Sequence, residues 1–242
     1  MGIALHIAVL MTNTDESEFA QSHPKDGQKF TAMIHSVRPG WQVSVFPVKD
    51  GHFPPADMRF DGWLISGSPA SVHDGEAWID ALKALIRSID ERRQPLFGAC
   101  FGHQAIAEAL GGQVGRNPGG WVFGLTETQM EGAPIRLYSS HIQQVTALPA
   151  GARVTGGNAE CPIGSFAVGA HILTTQYHPE MSHEFITALV EEYADDLPAE
   201  VTQRARAALS SGRADSSRIA ERIARFFEEA QDKAAKRSIA VT

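Results

Sequence analysis

Only two cysteines occur in the 242 residues, Cys100 and Cys161. Two are too few for a disulfide framework, so a reducing, cytoplasmic setting is expected. No apolar run approaches the ~20 residues that a membrane-spanning helix needs. The stretch from Ile3 to Met11 is interrupted by His6 and lacks both a basic flank and a small-residue cleavage site. It reads as a buried first strand, not a secretory leader. Positive charge is also scarce: 21 Lys and Arg against 28 Asp and Glu give a formal net charge of −7. With no basic stripe to offset this, nucleic acid and membrane surfaces are excluded as partners. The phosphate-binding pattern Gly-x-x-x-x-Gly-Lys-Ser/Thr is absent. His6, His23, His35, His52, His73, His103, His171 and His183 show no ligand spacing with Cys or Asp. Neither a metal nor another cofactor is therefore expected, and Cys161 reads as a small core residue.

What is present is ordinary globular material, 43% hydrophobic and 20% charged. Over the first hundred residues, apolar strand-like runs alternate with helical periods. Strands are predicted at Ala4 to Met11, Trp41 to Phe46, Gly62 to Ile65 and Pro95 to Ala99. Helices are predicted at Pro24 to Val37, at Glu76 to Arg92, and from the end of the fourth strand to Leu110, stopped by Gly111-Gly112. Short β-rich runs follow at Trp121 to Gln129, Pro134 to Leu137, Val145 to Leu148 and Ile172 to Gln176. Helices resume at Ser182 to Ala194, Pro198 to Ser210 and Ser217 to Lys233. This order predicts an α/β fold, a three-layer, mostly parallel sheet with helices on both faces. No repeat or long linker divides it. One domain is expected over residues 1–195, with a C-terminal helical extension over 196–242. In that extension Ile219, Ile223, Phe226, Phe227 and Ala230 form an apolar stripe. The stripe must cover either the chain's own domain or a partner subunit, such as another copy in a homo-oligomer.

Three segments carry chemistry. In Pro95-Leu-Phe-Gly-Ala-Cys-Phe-Gly-His-Gln104 a strand ends, Gly98-x-Cys100-x-Gly102 makes a tight turn, and a helix begins. This is the cysteine form of a nucleophile elbow, and the helix N-terminus favours negative charge placed there. Alone, the string also fits a tight turn with an inert cysteine. In Tyr177-His-Pro-Glu180 extended backbone points positions i and i+2 to the same side, so His178 and Glu180 can project together as a base and its orienting carboxylate. A capped turn opening the next helix is the alternative. Ile65-Ser-Gly-Ser-Pro-Ala-Ser71 follows the third strand, where α/β sheets place ligands. Its backbone N–H groups could join that of Phe101 in holding an oxyanion, or it could be a plain loop.

Taken together, these segments resemble the class I glutamine amidotransferase family, a flavodoxin-like fold, and most of all the amidotransferase part of GMP synthase. Ser140-His-Ile-Gln-Gln-Val-Thr-Ala-Leu-Pro149 is similar to that family's Ser-His-x-x-x-Val segment, and Gly111-Gly112-Gln-Val114 stands in the usual place after the elbow helix. The likeness runs from about Ile7 to Phe185, in the family's order. It implies Cys100 as nucleophile, His178 as base and acid, and Glu180 as orienting carboxylate. It further implies oxyanion donors at the Ser68 and Phe101 N–H groups. Substrate contacts would come from Gly67, Gln104 and the backbone of Ile142 and Gln143. Two departures stand out. Gly67-Ser68-Pro69 replaces a frequent Gly-Gly-Pro, and Gly120-Trp-Val-Phe-Gly124 replaces an Arg-Glu-aromatic-Gly segment of GMP synthases. The resemblance implies release of ammonia from glutamine through a thioester, with any acceptor chemistry on a separate synthase subunit. A γ-glutamyl peptidase using the same three residues, and a catalytically silent binding module, are the competing readings.

Overall fold

The computed structural model describes the backbone of residues 4–240 and side chains through residue 233. The outermost ends of the two expected segments, residues 1–3 and 241–242, lie outside the described residues. In chain order the strands are β1 (His6–Met11), β2 (Gln42–Pro47), β3 (Gly62–Ile65), β4 (Leu96–Ala99), β5 (Gln113–Arg116), β6 (Val122–Met130), β7 (Ala133–His141), β8 (Gln143–Ala147), β9 (Ala152–Gly157), β10 (Ser165–Val168) and β11 (Ile172–Thr175). The α-helices are α1 (Glu18–Ser22), α2 (Asp26–Val37), α3 (Ala77–Glu91), α4 (Phe101–Ala109), α5 (His183–Glu192), α6 (Ala199–Ser211) and α7 (Ser216–Ala240).

A nine-stranded sheet runs in the order β2-β1-β3-β4-β11-β10-β9-β6-β7, and β5 pairs with β8 in a separate ribbon. The first five strands are parallel, so their carboxyl ends emerge along one edge. The remaining four extend the sheet antiparallel. Strand alternation splits the core into two layers. Ile7, Val9, Leu64 and Phe97 face one side, where α2 and α7 cover them. Ala8, Leu10, Trp63, Ile65 and Leu96 face the other, against α3 and α4. A third cluster joins Phe123 and Tyr138 to α5 and α6. Among the described residues no helix is long and apolar enough to cross a membrane.

Three features differ from the sequence expectation. Helix α1, capped by the Ser17 hydroxyl accepting from the Ala20 N–H at 3.1 Å, lies in a stretch read as loop. Strand β7 is nine residues long, where four were expected from Pro134. Proline is tolerated because β7 is an edge strand. The strand begins at Ala133 because Glu131 and Gly132 both take positive φ, 51° and 80°, the geometry of a two-residue hairpin turn. Strands β5, β9 and β10 also lie where no strand was expected: β5 is held by β8, and β9 and β10 each pair on both sides.

The apolar stripe of α7 is buried. Ile219, Ile223 and Phe227 are at most 1% exposed and share a cluster with Phe30 of α2 and Val9 of β1. Phe227 meets Trp41 edge-on at 6.3 Å. Arg38, just past α2, forks onto Glu221 and Glu228 of the same helix at 2.6–3.1 Å. Phe227→Ala should therefore lower unfolding stability by about 3–5 kcal/mol, the range for emptying a buried aromatic site. Urea titration followed by fluorescence measures it, and a loss below about 1 kcal/mol would contradict this packing.

Candidate active site

The parallel strands deliver four segments to one edge: Thr12-Asn13 after β1, Ser66-Gly67-Ser68 after β3, Cys100 after β4, and Gln176 to Glu180 after β11. Buried Thr12 ties the first two together. Its N–H donates to Ser66 Oγ at 2.9 Å, and its hydroxyl donates to the Ser66 and Gly67 carbonyls, each at 3.0 Å.

Cys100 occupies the N-cap of α4 with φ 49° and ψ −106°, a region that side-chain-bearing residues seldom adopt. Its N–H donates to Thr175 O at 2.8 Å, and its carbonyl accepts from the Gln104 N–H at 3.1 Å. The two flanking glycines make room for the turn. A Cβ on Gly98 would stand 2.6 Å from Ile106 Cδ1, and one on Gly102 would stand 2.9 Å from Ile65 Cβ. The Phe101 N–H heads the helix, where no preceding turn can accept from it.

His178 is fixed through its backbone, donating to Tyr138 O at 2.8 Å. Its Nδ1 and Glu180 Oε1 lie 2.8 Å apart, and both side chains are buried. The i, i+2 spacing with Pro179 between thus places both on one side, as expected. With Nδ1 so engaged, Nε2 is the nitrogen left for another group, and Cys100 stands beside this imidazole: a Cβ on Gly67 would be 3.0 Å from His178 Cε1 and 3.5 Å from Cys100 Cβ. Burial alone would push the imidazole pKa down. The Glu180 carboxylate and then Cys100 outweigh burial, holding it well above the ordinary histidine range.

Gln176 completes the group and was not singled out from sequence. Its Nε2 lies 3.6 Å from Cys100 Sγ, and its Oε1 accepts from Gln104 Nε2 at 3.2 Å. The signal was available, because Gln176, His178 and Glu180 recur at period two. Behind them His103 and His141 are buried, with pKa values pushed down by burial to about 3 and about 4. Both are neutral at physiological pH. Cys161 is buried and free, and burial pushes its thiol up to about 12. Among the described residues, no group of three or more His, Cys, Asp or Glu side chains could hold a metal ion.

A cavity of about 320 Å³ opens at the site. Of the residues singled out by sequence, Gly67, Ser68, Cys100 and His178 line it, while Glu180 stands behind His178 and Phe101 turns into the core. Gln104, Ile142 and Gln143 do not reach its wall. Gln104 Nε2 is engaged by the Gln143 carbonyl at 2.9 Å and by Gln176, and the Ile142 carbonyl accepts from the Asn117 N–H at 2.7 Å. The cavity instead recruits Trp121 and Phe123 of the Gly120-to-Gly124 segment, and Asn13, Asp26, Lys29 and Phe185, to which no role was assigned from sequence.

The sequence matches the family model described as glutamine amidotransferase class-I over residues 26–191, a span that holds Cys100, His178 and Glu180. It is similar to gamma-glutamyl peptidase 3 of Arabidopsis thaliana, 28% identical over 200 residues that cover 75% of this chain and 80% of that protein. It is also similar to a glutamine-hydrolyzing GMP synthase of Streptomyces coelicolor, 36% identical over 131 residues, covering 50% of this chain and 24% of that one. The solved structure of a glutamine amidotransferase from Thermotoga maritima shares the fold, with a TM-score of 0.71 at 16% identity, covering 96% of this chain and 98% of that one.

The raised imidazole pKa has a testable sign. Because the folded value lies above the free one, stability from this group is fully present below about pH 6.5 and is lost as pH rises through the folded value. Glu180→Gln removes the largest raising influence, so the His178 proton should be lost at lower pH than in the unaltered protein. The imidazole Cε1–H resonance followed through a pH titration measures this, and an unmoved or upward midpoint would contradict the assignment.

Proposed function

The chain belongs to the class I glutamine amidotransferase family, and from that membership and the geometry of the site we propose that it hydrolyses a γ-glutamyl amide bond through a thioester on Cys100. The observation that carries this reading is the buried pair of Glu180 and His178 Nδ1, 2.8 Å apart, standing beside Cys100 at a helix N-terminus on one cavity wall. Cys100 Sγ attacks the γ-carbonyl carbon. The Ser68 and Phe101 N–H groups receive the oxyanion, and His178 gives its proton to the departing amine. Water then attacks the thioester. His178 takes a proton from that water, the carbon–sulfur bond breaks, and glutamate leaves. Glu180 keeps the imidazole oriented throughout.

Glutamine is the smallest substrate of this kind, and ammonia is then the leaving amine. An acceptor for that ammonia would sit on a separate synthase subunit, as the likeness to one part of a larger GMP synthase suggests. A second reading, a γ-glutamyl compound with a substituent on the amide nitrogen, is favoured by the cavity. Its wall carries Trp121, Phe123 and Phe185, apolar surface that the ammonia leaving glutamine would not use. The likeness to gamma-glutamyl peptidase 3, which extends over most of both chains, supports the same reading.

Purified protein assayed with glutamine and with γ-glutamyl dipeptides, reading glutamate release, tests the proposal. Cys100→Ala should abolish release from every substrate, and His178→Ala should reduce it by about 10²- to 10⁴-fold. Glu180→Gln should cost less than His178→Ala, since the carboxylate orients the base and transfers no proton itself. A glutamine-like electrophile should label Cys100 before Cys161. Persistent hydrolysis in Cys100→Ala, or preferential labelling of Cys161, would overturn the reading.

A further inference from the structure

Among the charged groups on the cavity wall, Lys29 is held in a way that no core requirement explains. Its side chain is 10% exposed. Nζ donates to Asp26 Oδ1 at 3.1 Å and stands 3.4 Å from the centroid of the Phe185 ring. Asp26 is itself buried, and its other oxygen accepts from Asn13 Nδ2 at 3.0 Å. Asp26, Asn13 and Phe185 all line the same cavity as Cys100 and His178. The other two lysines on that wall are placed differently. Lys49 is 2.7 Å from Glu16 and 2.8 Å from Asp50, and the Lys25 side chain is 44% exposed and 4.0 Å from Glu16.

Holding an ammonium out of water in one rotamer is unfavourable twice over, in desolvation and in lost side-chain freedom. A leucine or methionine would cover Phe185 without either cost. An ammonium carries three donors. Asp26 takes one, and the aromatic face attracts the charge without needing an aligned N–H. The group therefore keeps donor capacity for a ligand in the cavity. Burial pushes the Asp26 carboxyl up, while Lys29 and Asn13 pull it down.

We propose that Lys29 reads a carboxylate on the amine side of the scissile bond, so that the preferred substrates are γ-glutamyl amino acids or peptides ending in a free carboxylate near that position. Asp26 and Phe185 are positioning residues that hold the ammonium toward the cavity, and Trp121 and Phe123 offer apolar surface to the hydrocarbon part of the leaving amine. This rests on the γ-glutamyl hydrolase reading above and narrows it: glutamine, which has nothing beyond its amide nitrogen, would leave Lys29 unused.

The test compares γ-glutamyl-leucine with γ-glutamyl-leucinamide, which differ only in that carboxylate. The unaltered protein should favour the acid in kcat/KM by ~10- to 100-fold, the discrimination that a charged hydrogen bond supplies. Lys29→Met should bring the ratio close to one, mainly through KM for the acid, and Lys29→Arg should restore part of it. The ratio is internal to each variant, so a general loss of activity or of folded protein cancels out. Binding of the same pair to Cys100→Ala protein by calorimetry gives the preference without turnover. Hydrolysis of both compounds with no preference, or a preference that survives Lys29→Met, overturns this assignment and leaves the hydrolase reading standing. Absence of Cys100-dependent hydrolysis with any substrate overturns the hydrolase reading, and equal affinity of Cys100→Ala protein for acid and amide then overturns this one as well.

Discussion

A residue with a side chain and a φ of 49° costs on the order of 1–3 kcal/mol and persists only where its surroundings over-determine it. At Cys100 they do so from three directions. The N–H is tied to β11 through Thr175 O, the carbonyl opens α4 by accepting from Gln104, and the next turn is tied to the end of β3 by Gly102 N–H donating to Ser66 O at 3.1 Å. The strain is thus spread over three neighbouring parallel strands. Moving any one of them in register would release the elbow and turn the thiol away from the cavity. The same three strand ends carry the Gly67-Ser68 turn and the Gln176-to-Glu180 segment, so a single backbone constraint fixes Cys100 and the groups around it.

Much of this was legible in the sequence, because the signals are local. The Gly-x-Cys-x-Gly turn and the His-Pro-Glu step depend on spacings of two residues, and α3 and the α7 stripe depend on the helical period. What the sequence reading missed depends on tertiary partners. Strand β10 is only four residues long, β9 ends in two glycines, and Val154 of β9 is 48% exposed. Only their neighbours in the sheet make them strands. Asp26 and Lys29, three apart on a helix, look like an ordinary surface pair. The Lys29 ammonium is covered by the ring of Phe185, more than 150 residues further on. Gln176 was passed over because a glutamine in a strand carries no mark of its own chemistry until its amide is seen facing a sulfur.

The Gly120-to-Gly124 segment illustrates the same point from the other side. Its departure from the GMP synthase pattern marked it as unusual without saying what it does. In the fold Trp121 and Phe123 line the cavity, and the Trp121 carbonyl accepts from Arg204 of α6 at 2.8 Å. The segment is thus joined to the chain's own α6, outside the 26–191 stretch that defines the family match.

The position of α7 bears on how the chain acquires its structure during synthesis. The helix covers β1 and α2, and its Glu228 meets Arg38 across 190 residues of sequence. Strands β1 and β3 and helix α2 leave the ribosome early, yet Val9, Leu64 and Phe30 stay uncovered on that face until residues beyond Ile219 have been made. At ~5–20 residues per second this leaves an apolar surface open for roughly ten seconds or more, in a topology dominated by distant contacts. The nascent chain is then a natural client for chaperones. A message cut short before α7 would yield a product that keeps Cys100, His178 and Glu180 but leaves one face of its sheet uncovered.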